Sequence, residues 1–141
     1  MGRWLFLEDL RRLDDAALLL LRVVVGAFLV WGVWDNIISA EHMATFTAFL
    51  TKFGFPYPAL MAPLSVWVQF ACGTAFVLGA FTRWAGLLCA VNFVVAIVMV
   101  DHTLGVRGSF ASACLVLIGL LLAAHGAGRF ALDPWLARRL G

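Results

Sequence analysis

Four long apolar runs, at about residues 16 to 38, 59 to 81, 84 to 100 and 109 to 125, constrain this chain more than any other feature. Crossing the roughly 30 Å hydrocarbon core of a bilayer at 1.5 Å per residue takes about 20 residues, with about 17 to 25 as the working range. All four runs meet that length, and the Asp, Glu, Lys and Arg residues inside them are confined to Arg22 and Asp35. A backbone inside lipid has to satisfy its own hydrogen bonds, so segments of this kind are helices. The expected fold is all-α, a transmembrane four-helix bundle forming a single membrane domain over residues 1 to 141. Only Thr82 and Arg83 separate the second and third runs, which predicts a tight antiparallel hairpin there.

Composition agrees. The chain is 64% hydrophobic and 13% charged, whereas soluble domains are nearer half apolar and a quarter charged. A net charge of +2, with no basic run and no aromatic-basic interleaving, excludes a nucleic-acid partner. Cys72, Cys89 and Cys114 are far apart, each within an apolar run, and form no CxxC pair. They read as small buried hydrophobes, and a membrane thiol oxidoreductase of the vitamin K epoxide reductase type is excluded. Ahead of the first run stands a mixed-charge stretch with Glu8, Asp9, Arg11, Arg12, Asp14 and Asp15. This is unlike a signal peptide, so the run is expected to be retained.

Orientation follows from basic residues, because Lys- and Arg-rich loops stay in the cytoplasm. With the N-terminus inside, seven arginines are cytoplasmic (Arg3, Arg11, Arg12, Arg83, Arg129, Arg138, Arg139) against Lys52 and Arg107 outside. Both termini, including a tail over 126 to 141, are therefore expected in the cytoplasm of a multi-pass inner-membrane protein. Residues 3 to 13, "RWLFLEDLRRL", have apolar positions at helical spacing and predict an interfacial helix. Asp14 and Asp15 then fall where a helix N-cap and a charge favourable to the dipole belong. In the outer loop, Met43, Phe46, Phe49, Leu50 and Phe53 share one helical side, predicting an amphipathic lid over 41 to 54 that Gly54 and Pro56 end.

Polar groups within the spans are the candidates for chemistry. At 100° per residue Arg22, Gly26, Leu29, Val33 and Asn36 form one stripe, with Asp35 about 140° from Arg22. Arg22 either snorkels to the inner headgroups or serves inside the bundle. Gln69 and Asn92 sit near the middle of spans two and three, at similar depth. They either hydrogen-bond across the helix interface or line a ligand pocket. Ala71, Ala75 and Gly79 make a small-residue row for close packing, continued by Gly86 and Ala90.

At the outer ends of the spans Asp35, Asn36, His42, Asp101 and His102 gather, and Trp31, Trp34 and Trp67 lie near the same level. The polar residues form a candidate ligand or proton site, and the tryptophans are either belt aromatics or walls of a flat pocket. Their spacing matches no metal motif, and no metal is expected. His125, beside Gly126 and Gly128, reads as a cation at a helix C-terminus.

Together these residues resemble the DoxX family of small four-helix bacterial membrane proteins, from about Arg22 to Asp133. The matching pieces are "LRVVVGAFLVWG" with Gly26 and Gly32, "FGFPYP", "GTAFVLGAFTRWAGLL" with Gly79, Thr82, Arg83 and Gly86, and "GAGRFALD" with Gly126, Gly128, Arg129 and Asp133. The resemblance implies an arginine at the position of Arg22. This chain departs from the family pattern in having Trp31, Gly32 and Asp35 where a histidine, the glycine and a lysine often stand, and Gln69 where a glutamate often stands.

The resemblance raises quinone-linked redox chemistry as a function, since some relatives are described as subunits of thiosulfate:quinone oxidoreductase or of complexes against oxidative stress. On that expectation quinone is the cofactor, held near Trp31, Trp34 and Trp67, with Asp35, His42, Asp101 or His102 as hydrogen-bond or proton partners. No flavin, haem or iron-sulfur motif is visible, so electrons would come from a partner protein or the substrate. The competing expectation is a non-catalytic anchor or assembly subunit, partnered by the bilayer and by another protein or further copies of itself. A carrier ranks last, for want of a Gly/Pro-interrupted helix pair.

Overall fold

A computed structural model describes residues 7–141, and residues 1 to 6 lie outside what is described. Its helices are α1 (Asp14–Ile38), α2 (Ala40–Lys52), α3 (Pro58–Leu78), α4 (Thr82–Met99), α5 (Gly105–His125) and α6 (Asp133–Leu140), with no strand among the described residues. Four helical stretches are long and apolar enough to cross a membrane: Glu8–Ile38, Pro58–Leu78, Thr82–Met99 and Asp101–His125. They alternate in direction, α1 up, α3 down, α4 up and α5 down. Both ends of the chain therefore meet at one end of the bundle, the terminal end, while α2 covers the other, the lid end.

Boundaries differ from the sequence reading where capping decides them. The last span begins at Gly105, four residues before the expected 109, because the 3-10 turn Asp101–Leu104 leads directly into it. Residues 3 to 6 of the expected interfacial helix are outside the described region. The remainder is a 3-10 turn, Glu8–Leu13, exposed throughout and continuous with α1. The N-cap expected of Asp14 and Asp15 is replaced for the same reason. The α1 N-cap position is Leu13, with no side-chain cap, because the preceding turn already supplies helical backbone. Lid helix α2 starts instead on Ser39, whose Oγ accepts the backbone N–H of His42 at 3.4 Å.

The tightest packing joins α1 to α3 and α4 to α5, while the α3–α4 hairpin is in looser contact. Glycine makes each tight pair possible. A Cβ on Gly26 would lie 2.5 Å from the carbonyl oxygen of Gly73, and one on Gly73 would lie 2.7 Å from that of Gly26. Gly86 of α4 and Gly119 of α5 face each other in the same way. Without a hydrophobic drive between helices in lipid, such backbone-to-backbone approach is what holds spans together. The small-residue row expected at Ala71, Ala75 and Gly79 is not the crossing with α1: Ala71 is exposed and Gly73, on about the opposite side of α3, takes the contact.

The centre is a cluster drawn from all four spans, among them Leu18, Leu29, Cys72, Phe76, Cys89, Leu115 and Leu122. All three cysteines are free thiols. On α1 the buried residues are Leu18, Arg22, Gly26, Leu29 and Val33, so the stripe read from the sequence is the face turned inward. Large apolar residues elsewhere face out on every span, as a lipid-facing surface requires.

Candidate functional site

Arg22 is fully buried at 0% exposure, turned into the bundle at its terminal end. Its Nη1 donates to the carbonyl of Phe76 at 2.9 Å, and its Nη2 donates to the carbonyl of Phe130. The Phe76 carbonyl is among the last four of α3, which an α-helix leaves without internal partners. Gly79, with φ of +68°, ends α3 in the left-handed region, and a Cβ there would overlap both the guanidinium and Ala131. Arg22 Nε has no hydrogen-bond partner among the described residues.

The segment after α5 closes this end. The Asp133 carboxylate accepts from the backbone N–H of Phe81 through Oδ1 and from that of Thr82 through Oδ2 at 3.0 Å, so it caps α4 from a distant part of the chain. It is also the carboxylate whose charge acts on Arg22. Asp133 N–H donates back to the Gly79 carbonyl at 2.8 Å. Arg83 Nη1 donates to the carbonyls of Ala123 (3.0 Å) and Ala124 (2.7 Å), which makes it the C-cap of α5. His125, expected in that role, instead lies 3.8 Å from Asp14 Oδ2. Asp15 Oδ1 accepts the N–H of Arg129 at 3.1 Å, and a Cβ on Gly128 would lie 2.8 Å from Leu18. The motif residues Gly79, Thr82, Arg83, Gly126, Gly128, Arg129 and Asp133 thus form one interlocked joint with Arg22.

The lid end holds the best-formed cavity, of about 360 Å³. Its walls are Phe46, Phe49 and Leu50 of the lid, Phe55 of the following loop, and the facing sides of α3 and α4. Inside it Gln69 Nε2 donates to Ser65 Oγ at 3.2 Å, and Ser65 Oγ donates to Asn92 Oδ1 at 3.0 Å. The two amides found in the sequence therefore meet through a serine rather than directly, and all three side chains line the cavity. Asp101 stands on the same wall and accepts the hydroxyl of Ser112 on its Oδ2. Leu64, Leu88, Val91 and Val95, all exposed, mark an opening between α3 and α4 on the lipid-facing side.

The other residues expected at the outer site do not converge on this cavity. Asp35, Asn36 and His42 share a shallow groove with Gly32 on the far side of α2, where Asn36 Nδ2 donates to the His42 carbonyl at 3.2 Å. Trp31 and Trp34 flank a groove between α1 and α3 that holds Thr74 and Val77. Trp67 is exposed and packs edge-on against Phe70, 5.6 Å between ring centres. His102 is exposed, its Nδ1 3.3 Å from the Ile97 carbonyl, and it lines a separate depression beside α5. Ser65 and Ser112 were missed in the sequence, although Ser65 stands one helical turn before Gln69 and could have been found from that spacing. No group of three or more His, Cys, Asp or Glu residues able to hold a metal occurs among the described residues.

A membrane-embedded four-helix protein with an arginine-centred joint at one end and a lidded cavity at the other is the class these features define. The chain belongs to the DoxX family, whose model matches residues 17–102. That match takes in α1 to α4 and the cavity, and stops short of the "GAGRFALD" segment. Neither a curated protein nor a solved structure matches the chain.

Proposed function

We propose that this DoxX protein is a membrane subunit that binds a quinone ring in the cavity between α2, α3 and α4, in support of redox chemistry carried out with a partner protein. The observation that carries the reading is the cavity itself: aromatic walls, a short polar chain, and an opening toward lipid. Its volume falls within the roughly 300 to 1,000 Å³ of small-molecule sites, which are mostly apolar with a few convergent polar groups. The donor set fits a quinone, because Asn92 and Gln69 present amide groups to ring oxygens while Phe46, Phe49 and Phe55 flank the ring.

A bound quinone supplies two-electron, two-proton chemistry that the side chains lack. The chain's part is to bind and orient it. The amides fix the ring oxygens, the phenylalanines exclude water, and Asp101, the titratable group on the cavity wall, is positioned to hold or release a proton toward the lid end. This reading puts the ring in the lidded cavity rather than beside Trp31 and Trp34, which line a groove apart from Asp35, Asn36 and His42, or beside the exposed Trp67. The charge bias supports a cytoplasmic terminal end in a bacterial inner membrane, with the cavity toward the outer leaflet.

The test is calorimetric titration of the protein in lipid nanodiscs with a decyl-tailed benzoquinone. Binding that Asn92→Leu weakens at least about tenfold supports the reading, since an unpaired polar ligand atom costs about 1 to 3 kcal/mol. No binding to the unaltered chain sinks it. The second reading, an assembly subunit without a ligand, is favoured by the glycine crossings and the terminal joint. It gains if cavity substitutions leave complex formation and activity intact.

A further inference from the structure

The polar chain in the cavity has a property that follows from its chemistry alone. A serine hydroxyl has one hydrogen to give and lone pairs to receive, while a carboxamide has a carbonyl on one side and an NH2 on the other. In the direction found, Gln69 gives to Ser65 and Ser65 gives to Asn92. Gln69 Oε1 and Asn92 Nδ2 then remain without a protein partner among the described residues. Neither is sealed off: among the described residues, the buried side-chain atoms lacking partners are Arg22 Nε and Thr82 Oγ1. Turning both amides by a half-turn about their terminal torsions, which are broad and two-fold, reverses the chain. Asn92 then gives to Ser65 and Ser65 gives to Gln69. Both hydrogen bonds survive, and the cavity still meets one free carbonyl and one free NH2, with the second N–H of the donating amide beside that carbonyl, now exchanged between the two sides of Ser65.

Resting on the reading of this cavity as a quinone-ring site, we infer that Gln69, Ser65 and Asn92 form a reversible hydrogen-bond relay that accepts the oxidised and reduced forms of one ligand alike. Quinone oxygens only accept, whereas hydroquinone hydroxyls also donate. In the direction found, the Asn92 NH2 serves a quinone oxygen at its side of the cavity. In the reversed direction the Asn92 carbonyl serves a hydroquinone hydroxyl at the same place. At the Asn92 position two acceptors never face each other in either form, and at the Gln69 position the second N–H, beside the free carbonyl, serves the other ring oxygen, so the site does not bias the redox balance of its ligand. Ser65 is the pivot and acts as a positioning residue, because it can both give and receive.

The experiment compares binding of decyl-tailed benzoquinone and of its hydroquinone to the protein in nanodiscs, under anaerobic conditions. The unaltered chain is expected to hold the two forms within about threefold of each other. Gln69→Glu and Asn92→Asp each replace an NH2 by an oxygen that, once ionised, can only accept. Each fixes the chain in one direction and turns a carboxylate oxygen and an amide carbonyl toward the ligand, with the second N–H of the remaining amide as the one donor left there. Hydroquinone should then outbind quinone by about tenfold or more, raising the midpoint potential of the bound ring by about 30 mV per tenfold for a two-electron couple. The acceptor-only form is the ionised one, so the preference should grow as the pH is raised from about 6 to about 9. Asp101, the carboxyl already on the cavity wall, is present in the unaltered chain, which serves as the control at each pH. Both forms bound within about threefold in both variants across that range overturns the relay. A bias of about tenfold or more in the unaltered chain overturns the relay and leaves the ring site standing. Absence of binding of either form to the unaltered chain overturns both.

Discussion

Nη1 of Arg22 donates to the carbonyl of Phe76 at 2.9 Å, so the one arginine within the first span closes the open end of the third helix. Because the guanidinium also reaches the Phe130 carbonyl, it ties α1, α3 and the segment after α5 into one joint. Substituting Arg22→Met removes both donors and leaves the buried Phe76 carbonyl unpaired and the partly exposed Phe130 carbonyl without its guanidinium partner. The expected loss of stability is on the order of 3 kcal/mol. Arg22→Lys should recover only part of it, since an ammonium lacks the planar fork that serves two carbonyls at once. Thermal unfolding in detergent, followed by size-exclusion, checks the order: unaltered above Lys above Met. Equal stability of all three would mean the joint does not depend on the guanidinium.

How much of this was visible in the sequence depends on the kind of signal. The four spans and the inward stripe of α1 could be read because length and a period of 3.6 residues are properties of the chain itself. The partners of Arg22 could not, since a backbone carbonyl has no residue signature. Gly73 and Gly119 were passed over because α3 and α5 are apolar all round, and hydropathy does not separate a lipid-facing side from a packed one. The polar residues of the lid end share a level along the bundle, which spacing gives, but not an azimuth, which it does not. Helix α2 passes between them and divides Asp35 and His42 from Asp101.

Asp133 should be as sensitive as a helix cap, although it lies some fifty residues from the helix it caps. Asp133→Ala leaves the first N–H groups of α4 open and removes the charge facing Arg22, at a cost of about 0.5 to 2 kcal/mol for the cap alone. Phe81 is held at φ of +52°, a region that costs a non-glycine residue about 1 to 3 kcal/mol when nothing enforces it. Phe81→Gly should therefore restore part of the stability lost in Asp133→Ala. Thermal unfolding of the two single variants and the double variant tests this coupling, and strictly additive effects would refute it.

The glycine crossings give a contrast between neighbouring positions. Gly73→Val would drive a side chain into the Gly26 carbonyl and should destabilise by at least about 1 to 3 kcal/mol, with loss of the monodisperse protein. Ala71→Val, two residues away on an exposed face, should be tolerated within about 0.5 kcal/mol. If Ala71 proves the sensitive position, α3 presents its other face to α1, or a protein partner covers Ala71. Cross-linking between cysteines placed at positions 30 and 70 would separate those two outcomes.

Binding should distinguish the lidded cavity from the groove beyond it. Phe49→Ala opens the lid wall and Ser65→Ala breaks the amide chain, so each is expected to weaken decyl-benzoquinone binding several-fold to about tenfold. His42→Ala and Trp31→Ala touch other surfaces and should leave affinity within about twofold, because neither lines the cavity. Parallel titrations in nanodiscs decide between them. Loss of binding in His42→Ala with retention in Ser65→Ala would move the ligand to the other side of α2, where Phe49 also lines the groove. Asp35 would then be the carboxylate to test in place of Asp101.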